Sequence, residues 1–223
     1  MCLVGCTGLT DISDLPSSLI TIGEYAFQNC TGIIGEFTLS RNITTASVGL
    51  LDHCTGITEL IIPSNITTVN LNSFGYMTNL TKVTYPISMG ITGKAFQYTN
   101  KISQVILTGG AGYNYSSSTY QQYMPWTEST VSVTVTLQEG ITRIGNYMFY
   151  EAKNISNVLT LPSTLTEIGN SAFYNTPQVC TNSLTWWDGS RRLLVYTYYS
   201  GWGHENRGKC ILWVYGHWVS VFA

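Results

Sequence analysis

Charge is what this chain has least of. Charged residues make up 10% of its 223 positions, against about 25% in ordinary soluble domains, and Thr, Ser, Asn and Tyr stand in their place. Ten basic and twelve acidic residues leave a net charge of -2. Without a run of Lys or Arg the electrostatic footprint of a nucleic-acid binder is missing. No stretch approaches the ~20 consecutive apolar residues of a membrane-spanning helix. No C-x-x-C pair occurs, and His53, His204 and His217 do not fall at ligand spacing from Cys or carboxylates. That removes the common zinc patterns, so neither metal nor cofactor is expected. Catalytic signatures are equally thin. G-x-S-x-G is absent, and Thr108-Gly109-Gly110-Ala111-Gly112 lacks the Lys-Ser/Thr ending of a phosphate loop. It reads instead as a segment that needs glycine conformations. Asp188 and Glu205 are the only acids paired near aromatic residues, and nothing in the sequence fixes their separation. The expectation is no enzyme, with no catalytic residues.

What the chain does have is repetition. The phrase Ile-Gly-x-x-Ala-Phe-x-x-Cys is fullest at Ile22, Gly23, Ala26, Phe27 and Cys30. Its last position recurs as Cys6, Cys30, Cys54, Met77, Thr99, Ala152 and Thr176, at steps of 24, 24, 23, 22, 53 and 24. The aromatic position three residues earlier recurs as Phe27, Leu51, Phe74, Phe96, Phe149 and Phe173. A period of 22 to 24 residues predicts a solenoid in which each turn buries its apolar face only against its neighbours. After each phrase comes a short strand. Ile57, Leu60 and Ile62 fit the L-x-x-L-x-L spacing, which turns Glu59 and Ile61 outward. About seven turns at ~4.8 Å give a body roughly 30 Å long.

The stretches LPSSLITIGEYAFQNCTG (15 to 32), LIIPSNITTV (60 to 69) and LPSTLTEIGNSAFYNT (161 to 176) resemble the BspA-like class of leucine-rich repeats, over roughly residues 1 to 176. The resemblance implies a mainly β, curved solenoid with short helical turns, carried by an exported surface protein and used for adhesion or partner binding. It also accommodates the 53-residue step as an irregular repeat, 99 to 152, interrupted by a Gly/Tyr/Ser-rich excursion ending in Pro125-Trp126. The expected division is a solenoid over 1 to 181 and an aromatic-rich element, cap or binding element, over 182 to 223.

Both ends are informative. Cys2 to Leu9 aligns with Ala26 to Ile33, so Met1 falls just ahead of half a repeat and no signal peptide is readable. The expectation is a trimmed or fragmentary piece of an extracellular or cell-surface protein, or one that reaches the outside by another route, such as a virion component. At the other end, residues from Asn182 onward hold five of the six Trp residues and no repeat phrase. Leu193 to Tyr199 and Cys210 to Phe222 read as two strands of an antiparallel hairpin around a Gly-rich turn. Such a hairpin is suited to covering the open end of the solenoid. Trp186, Trp187 and above all Trp202 are its candidate binding residues, as aromatic anchors for a sugar ring or a protein partner.

Of the six cysteines, Cys6, Cys30 and Cys54 share the repeat column and are expected to pack as small buried thiols. Cys180 and Cys210, outside the repeats, are the candidate disulfide in an oxidising compartment. The N-x-[ST] triplets at Asn29, Asn42, Asn65, Asn79, Asn114 and Asn154 follow from a repeat built of Asn and Thr.

The outward strand positions form two columns. One is Thr38, Ile61, Thr84, Ile106, Thr136 and Thr160, the other Glu36, Glu59, Lys82, Gln104, Thr134 and Val158. Glu59, Ile61, Lys82, Thr84, Gln104 and Ile106 at their centre are the candidate binding residues of the solenoid. A face so poor in charge is expected to recognise shape and weak polar contacts. The partner is then a protein or glycan on another surface. The expected role is a non-enzymatic adhesion or partner-binding module. A phage or viral host-attachment protein with a receptor-reading tail, and a carbohydrate-binding fragment of a surface enzyme, are the alternatives.

Overall fold

Each turn of the chain is short, and besides closing tight bends within itself its backbone bonds to the turns beside it. In the computed structural model, which describes residues 3–10, 18–91, 93–117 and 123–176 and the strands 194–197, 210–214 and 217–221, this produces a leucine-rich-repeat solenoid. The main sheet is parallel and five-stranded. Its members are β1 (Gly35–Thr38), β3 (Ile57–Ile61), β5 (Lys82–Pro86), β7 (Gln104–Thr108) and β9 (Thr134–Leu137), adjacent in that order. Strands of two to four residues complete the turns on a second side. There β2 (Thr45–Ala46), β4 (Thr68–Val69) and β6 (Gly90–Ile91) form one sheet. A second such sheet joins β8 (Gly110–Ala111), β10 (Ile141–Ile144) and β11 (Glu167–Ile168). The one helix among the described residues is the four-residue α1 (Pro125–Glu128).

The core follows the repeat phrase. Phe27, Leu51, Phe74, Phe96, Phe149 and Phe173 are all buried, as are Leu60, Ile62, Val83, Val105 and Val135 beneath the main sheet. Rings of successive turns meet, Phe74 tilted against Phe96 at 5.2 Å and Phe149 stacked on Phe173 at 5.2 Å. The 53-residue step divides here. Trp126 stacks on Phe149 at 5.1 Å and so occupies the aromatic position of a turn of its own. The main sheet runs unbroken through it, with Gln104 opposite Thr134. The irregular interval is therefore one turn of 30 residues, Phe96 to Trp126, and one of 23, Trp126 to Phe149.

The column that begins with cysteine is a hydrogen-bonding column. Cys30 Sγ donates to the Leu3 carbonyl at 3.1 Å, Cys54 Sγ to Phe27 at 3.0 Å and Thr99 Oγ1 to Phe74 at 2.7 Å; Thr176 Oγ1 donates to Phe149. Ser129, the matching residue of the Trp126 turn, donates to Ile102 at 2.6 Å. Each satisfies a carbonyl of the turn below, which is why Cys, Thr and Ser exchange there, while Met77 and Ala152, at the same position, carry no such donor. Burial pushes the Cys54 thiol up to about 12, so it stays protonated and remains a donor at any physiological pH. Asparagine does similar work. Asn79 Nδ2 donates to Thr55 O at 2.9 Å, Asn154 Nδ2 to Trp126 O at 3.1 Å, and Asn65 Nδ2 to Ile43 O. Three of the N-x-[ST] triplets thus begin with a residue that ties two turns together.

The backbone just ahead of the donor column turns through the left-handed region. Gly5, Asn29, His53, Tyr76, Tyr98, Glu151 and Asn175 all have φ between 51° and 70°. Within the glycine run Gly110 takes φ 121°, a conformation that needs glycine, as the sequence suggests, while Gly112 is required by close approach. A Cβ on Gly112 would lie 2.6 Å from the Gly145 nitrogen, and one on Gly145 1.8 Å from the Tyr113 carbonyl oxygen.

Past β9 the main sheet stops. Val158 and Thr160 do not continue the outward columns, because the Asn157 side chain takes the place of a strand. Its Oδ1 accepts from Val135 N–H at 2.7 Å and its Nδ2 donates to Val135 O at 2.8 Å. With that edge satisfied, the chain leaves the sheet.

The C-terminal strands differ from the expected hairpin in number. Strand β12 (Leu194–Thr197) pairs antiparallel with β13 (Cys210–Val214), as the sequence suggests. The last run is two strands, however, since β13 also pairs antiparallel with β14 (His217–Val221) and Val214 lies opposite His217. Tyr215 and Gly216, between the two strands in the sequence, lie outside the described residues. Cys180, Trp186, Trp187 and Trp202 lie outside the described residues, and of Cys210 only the backbone is described.

Candidate functional site

Pairing in the main sheet brings the outward residues into register. Glu36, Glu59, Lys82, Gln104 and Thr134 sit opposite one another in succession, as do Thr38, Ile61, Thr84, Ile106 and Thr136. Parallel strands pair residue for residue about 4.8 Å apart, so each column is a straight row across five turns. Alternation makes this possible. Leu60, Val83, Val105 and Val135 point into the core, leaving the residues on either side half-buried or exposed. All six residues singled out from the sequence, Glu59, Ile61, Lys82, Thr84, Gln104 and Ile106, are gathered on this one face.

Its electrostatics are weak. Lys82 Nζ contacts Glu59 Oε1 at 2.5 Å, which cancels the central pair of charges and leaves Glu36 as the residual charge of its column. The second column alternates Thr and Ile. Hydroxyls, methyls and a nearly neutral balance favour contact by shape, with a few hydrogen bonds.

A different cluster forms at the turns. Asp52 is buried, and its Oδ2 accepts from Gln28 Nε2 at 2.8 Å and lies 3.0 Å from His53 Nδ1. The His53 ring stacks on Tyr76 at 4.3 Å with 11° between planes, and Tyr76 meets Tyr98 at 4.7 Å. The sequence reading missed this ladder because each member sits at a position that Asn or Gly fills elsewhere. No serine or thiol lies against the Asp52–His53 pair in the hydrogen bonds of either residue. Among the described residues no group of three or more His, Cys, Asp or Glu side chains is arranged to hold a metal ion. No helix there is long and apolar enough to cross a membrane.

A family model for the BspA type leucine rich repeat region matches the chain in six copies, over residues 1–121 and 127–192. No curated protein matches it significantly. Among solved structures it is similar to the pneumococcal vaccine antigen PcpA, at 15% identity and a TM-score of 0.38, covering 73% of this chain and 59% of that one. A leucine-rich repeat protein from Bacteroides ovatus is also 15% identical, with a TM-score of 0.30 and coverage of 79% and 73%. A third, from Eubacterium ventriosum, has 15% identity, a TM-score of 0.24 and coverage of 65% and 52%. The chain thus spans 59% of the length of the pneumococcal antigen.

Proposed function

We propose, from the premise that the chain belongs to the BspA-type leucine-rich repeat family, that it is a non-enzymatic partner-binding module of a cell surface. Its partner is a protein, held against the strand face through Glu59, Ile61, Lys82, Thr84, Gln104 and Ile106. The observation that carries this reading is the unbroken in-register face of five parallel strands. Rows of half-exposed and exposed Thr and Ile run across five turns, and their nearly neutral charge suits contact by shape. Adhesion is the role proposed for such a face. Trp186, Trp187 and Trp202 are proposed as a second contact region, and Cys180–Cys210 as a disulfide beside it.

The test is a panel of purified secreted and cell-surface proteins presented to the immobilised chain. A hit is expected to weaken at least tenfold in the double variant Ile61→Glu, Ile106→Glu, as expected when charge is driven into an apolar contact, with the thermal melt unchanged. Raising salt from 0.1 to 0.5 M is expected to alter its affinity less than about threefold, because few charges are involved. A partner indifferent to the double variant would place binding elsewhere.

A further inference from the structure

Two enclosed oxygens on successive turns stand out against an array in which asparagines, serines and threonines otherwise bond from turn to turn. Asp52 Oδ1 and Asn72 Oδ1 are both buried, and among the described residues neither has a hydrogen-bond partner. Both side chains approach Gly75. A Cβ on that residue would stand 2.9 Å from Asp52 Oδ1 and 3.2 Å from Asn72 Cβ, so it is the bare glycine that lets the two meet. Asn72 reaches this position from a left-handed backbone, φ 52°, which asparagine tolerates better than most residues.

An enclosed acceptor without a donor is costly, and more so when it is charged. The Asp52 side chain is only 6% exposed. Its second oxygen is provided for, by Gln28 Nε2 at 2.8 Å and His53 Nδ1 at 3.0 Å. Positive charge around Oδ1 is scarce. Among the described residues His53 is the one ion-pair partner of Asp52. The nearest lysine in the array is Lys94, whose carbonyl accepts from Asn72 N–H at 3.2 Å; its side chain is exposed and joins none of the ion pairs among the described residues.

We propose that Asp52 Oδ1 and Asn72 Oδ1 are the protein ligands of a calcium ion, with water completing its shell. An all-oxygen donor pair is the chemistry of a hard cation. Calcium takes about six to eight oxygens in loose geometry, whereas magnesium demands a strict octahedron. Two ligands held on separate turns suit the looser ion, and half-buried Asn72 beside exposed Leu71 opens the site to water. With one acid and one amide, it lies outside the groups of three or more His, Cys, Asp or Glu that the described residues lack. Bound there, the ion ties the turn of His53 to the turn of Tyr76. This site is on the turns and is independent of the strand face.

The probe is calcium chloride, titrated calorimetrically at constant ionic strength into the whole chain after treatment with a chelating resin. One site is expected, with a Kd of ~0.1–1 mM, as in weak extracellular sites, and magnesium at least about tenfold weaker. At about 10 mM calcium the melting temperature should rise by at least about 3 °C. Asp52→Asn keeps an acceptor for Gln28 and removes the charge; it should abolish both effects. Asn72→Gly keeps the left-handed turn, removes the amide, and should weaken binding about tenfold. Lys94→Gln should strengthen it about twofold by removing a like charge, a gain that a merely structural role would not produce. Glu167→Gln, an exposed acid on a later turn, should leave it unchanged. No response at about 10 mM calcium would mean that water alone bridges the two oxygens and would overturn the proposal. Equal binding of magnesium, or full calcium binding by a folded Asp52→Asn protein, would overturn it as well.

Discussion

Replacing Phe149 with alanine is expected to destabilise the array by about 3–5 kcal/mol, the range for removing a fully buried aromatic side chain. Phe149 is completely buried and lies between two rings, Trp126 at 5.1 Å and Phe173 at 5.2 Å, the latter with 3° between planes. Its loss leaves a ring-sized cavity at the join between the 30-residue turn and the regular turns that follow. Because a solenoid's stability is a sum of turns and their interfaces, a defect at that join breaks two interfaces together. Urea unfolding followed by circular dichroism measures it. A loss below about 1 kcal/mol would mean that the aromatic ladder is not what joins the turns.

The second large effect concerns one consensus position read in two contexts. Gly23 and Gly145 both follow the Ile of the repeat phrase, and from the sequence they look equivalent. A Cβ on Gly145 would stand 1.8 Å from the Tyr113 carbonyl oxygen and 2.6 Å from its carbon, both backbone atoms. Relief requires the turns to part, straining the bond from Gly112 N–H to Arg143 O at 2.8 Å and that from Arg143 Nη2 to Gly112 O at 2.8 Å. Gly145→Ala is therefore expected to cost about 3 kcal/mol, the upper end of the usual overpacking range. A Cβ on Gly23 would meet no described atom within 4 Å. Gly23→Ala should be neutral or stabilise by about 0.5 kcal/mol, through the smaller entropy of the unfolded chain. Thermal melts of the two variants side by side decide it, and equal losses would contradict the packing at Gly145.

Much of this was legible because a solenoid writes its geometry into its period. Phe27 to Phe173 and Cys6 to Thr176 mark the core, and counting forward from Ile57 places Glu59 and Ile61 outward on the rows where they are found. Three things were hidden, each for a physical reason. Trp126 and Ser129 keep the Phe-x-x-Cys spacing, but Pro125 and the excursion before it remove the Ile-Gly and Ala that announce the phrase elsewhere. Val158 and Thr160 have the right spacing for the outward columns, yet the Asn157 amide intercepts the Val135 N–H and carbonyl that a strand would need. The left-handed turns are signalled only in part, by Gly5, Asn29 and Asn175, since Tyr76, Tyr98 and Glu151 are not residues that signal positive φ. The ladder those turns carry went unread with them.

The most direct test of the claim that the strand face is the binding surface is a hydrogen-exchange footprint of the chain with its strongest protein partner. Slowed exchange is predicted in peptides covering Ile57–Ile61, Lys82–Pro86 and Gln104–Thr108 and their flanking residues, with the turns at 71 to 76 and 146 to 151 unchanged. Protection confined to residues 182–223, with β3, β5 and β7 exchanging as in the unbound chain, would contradict it.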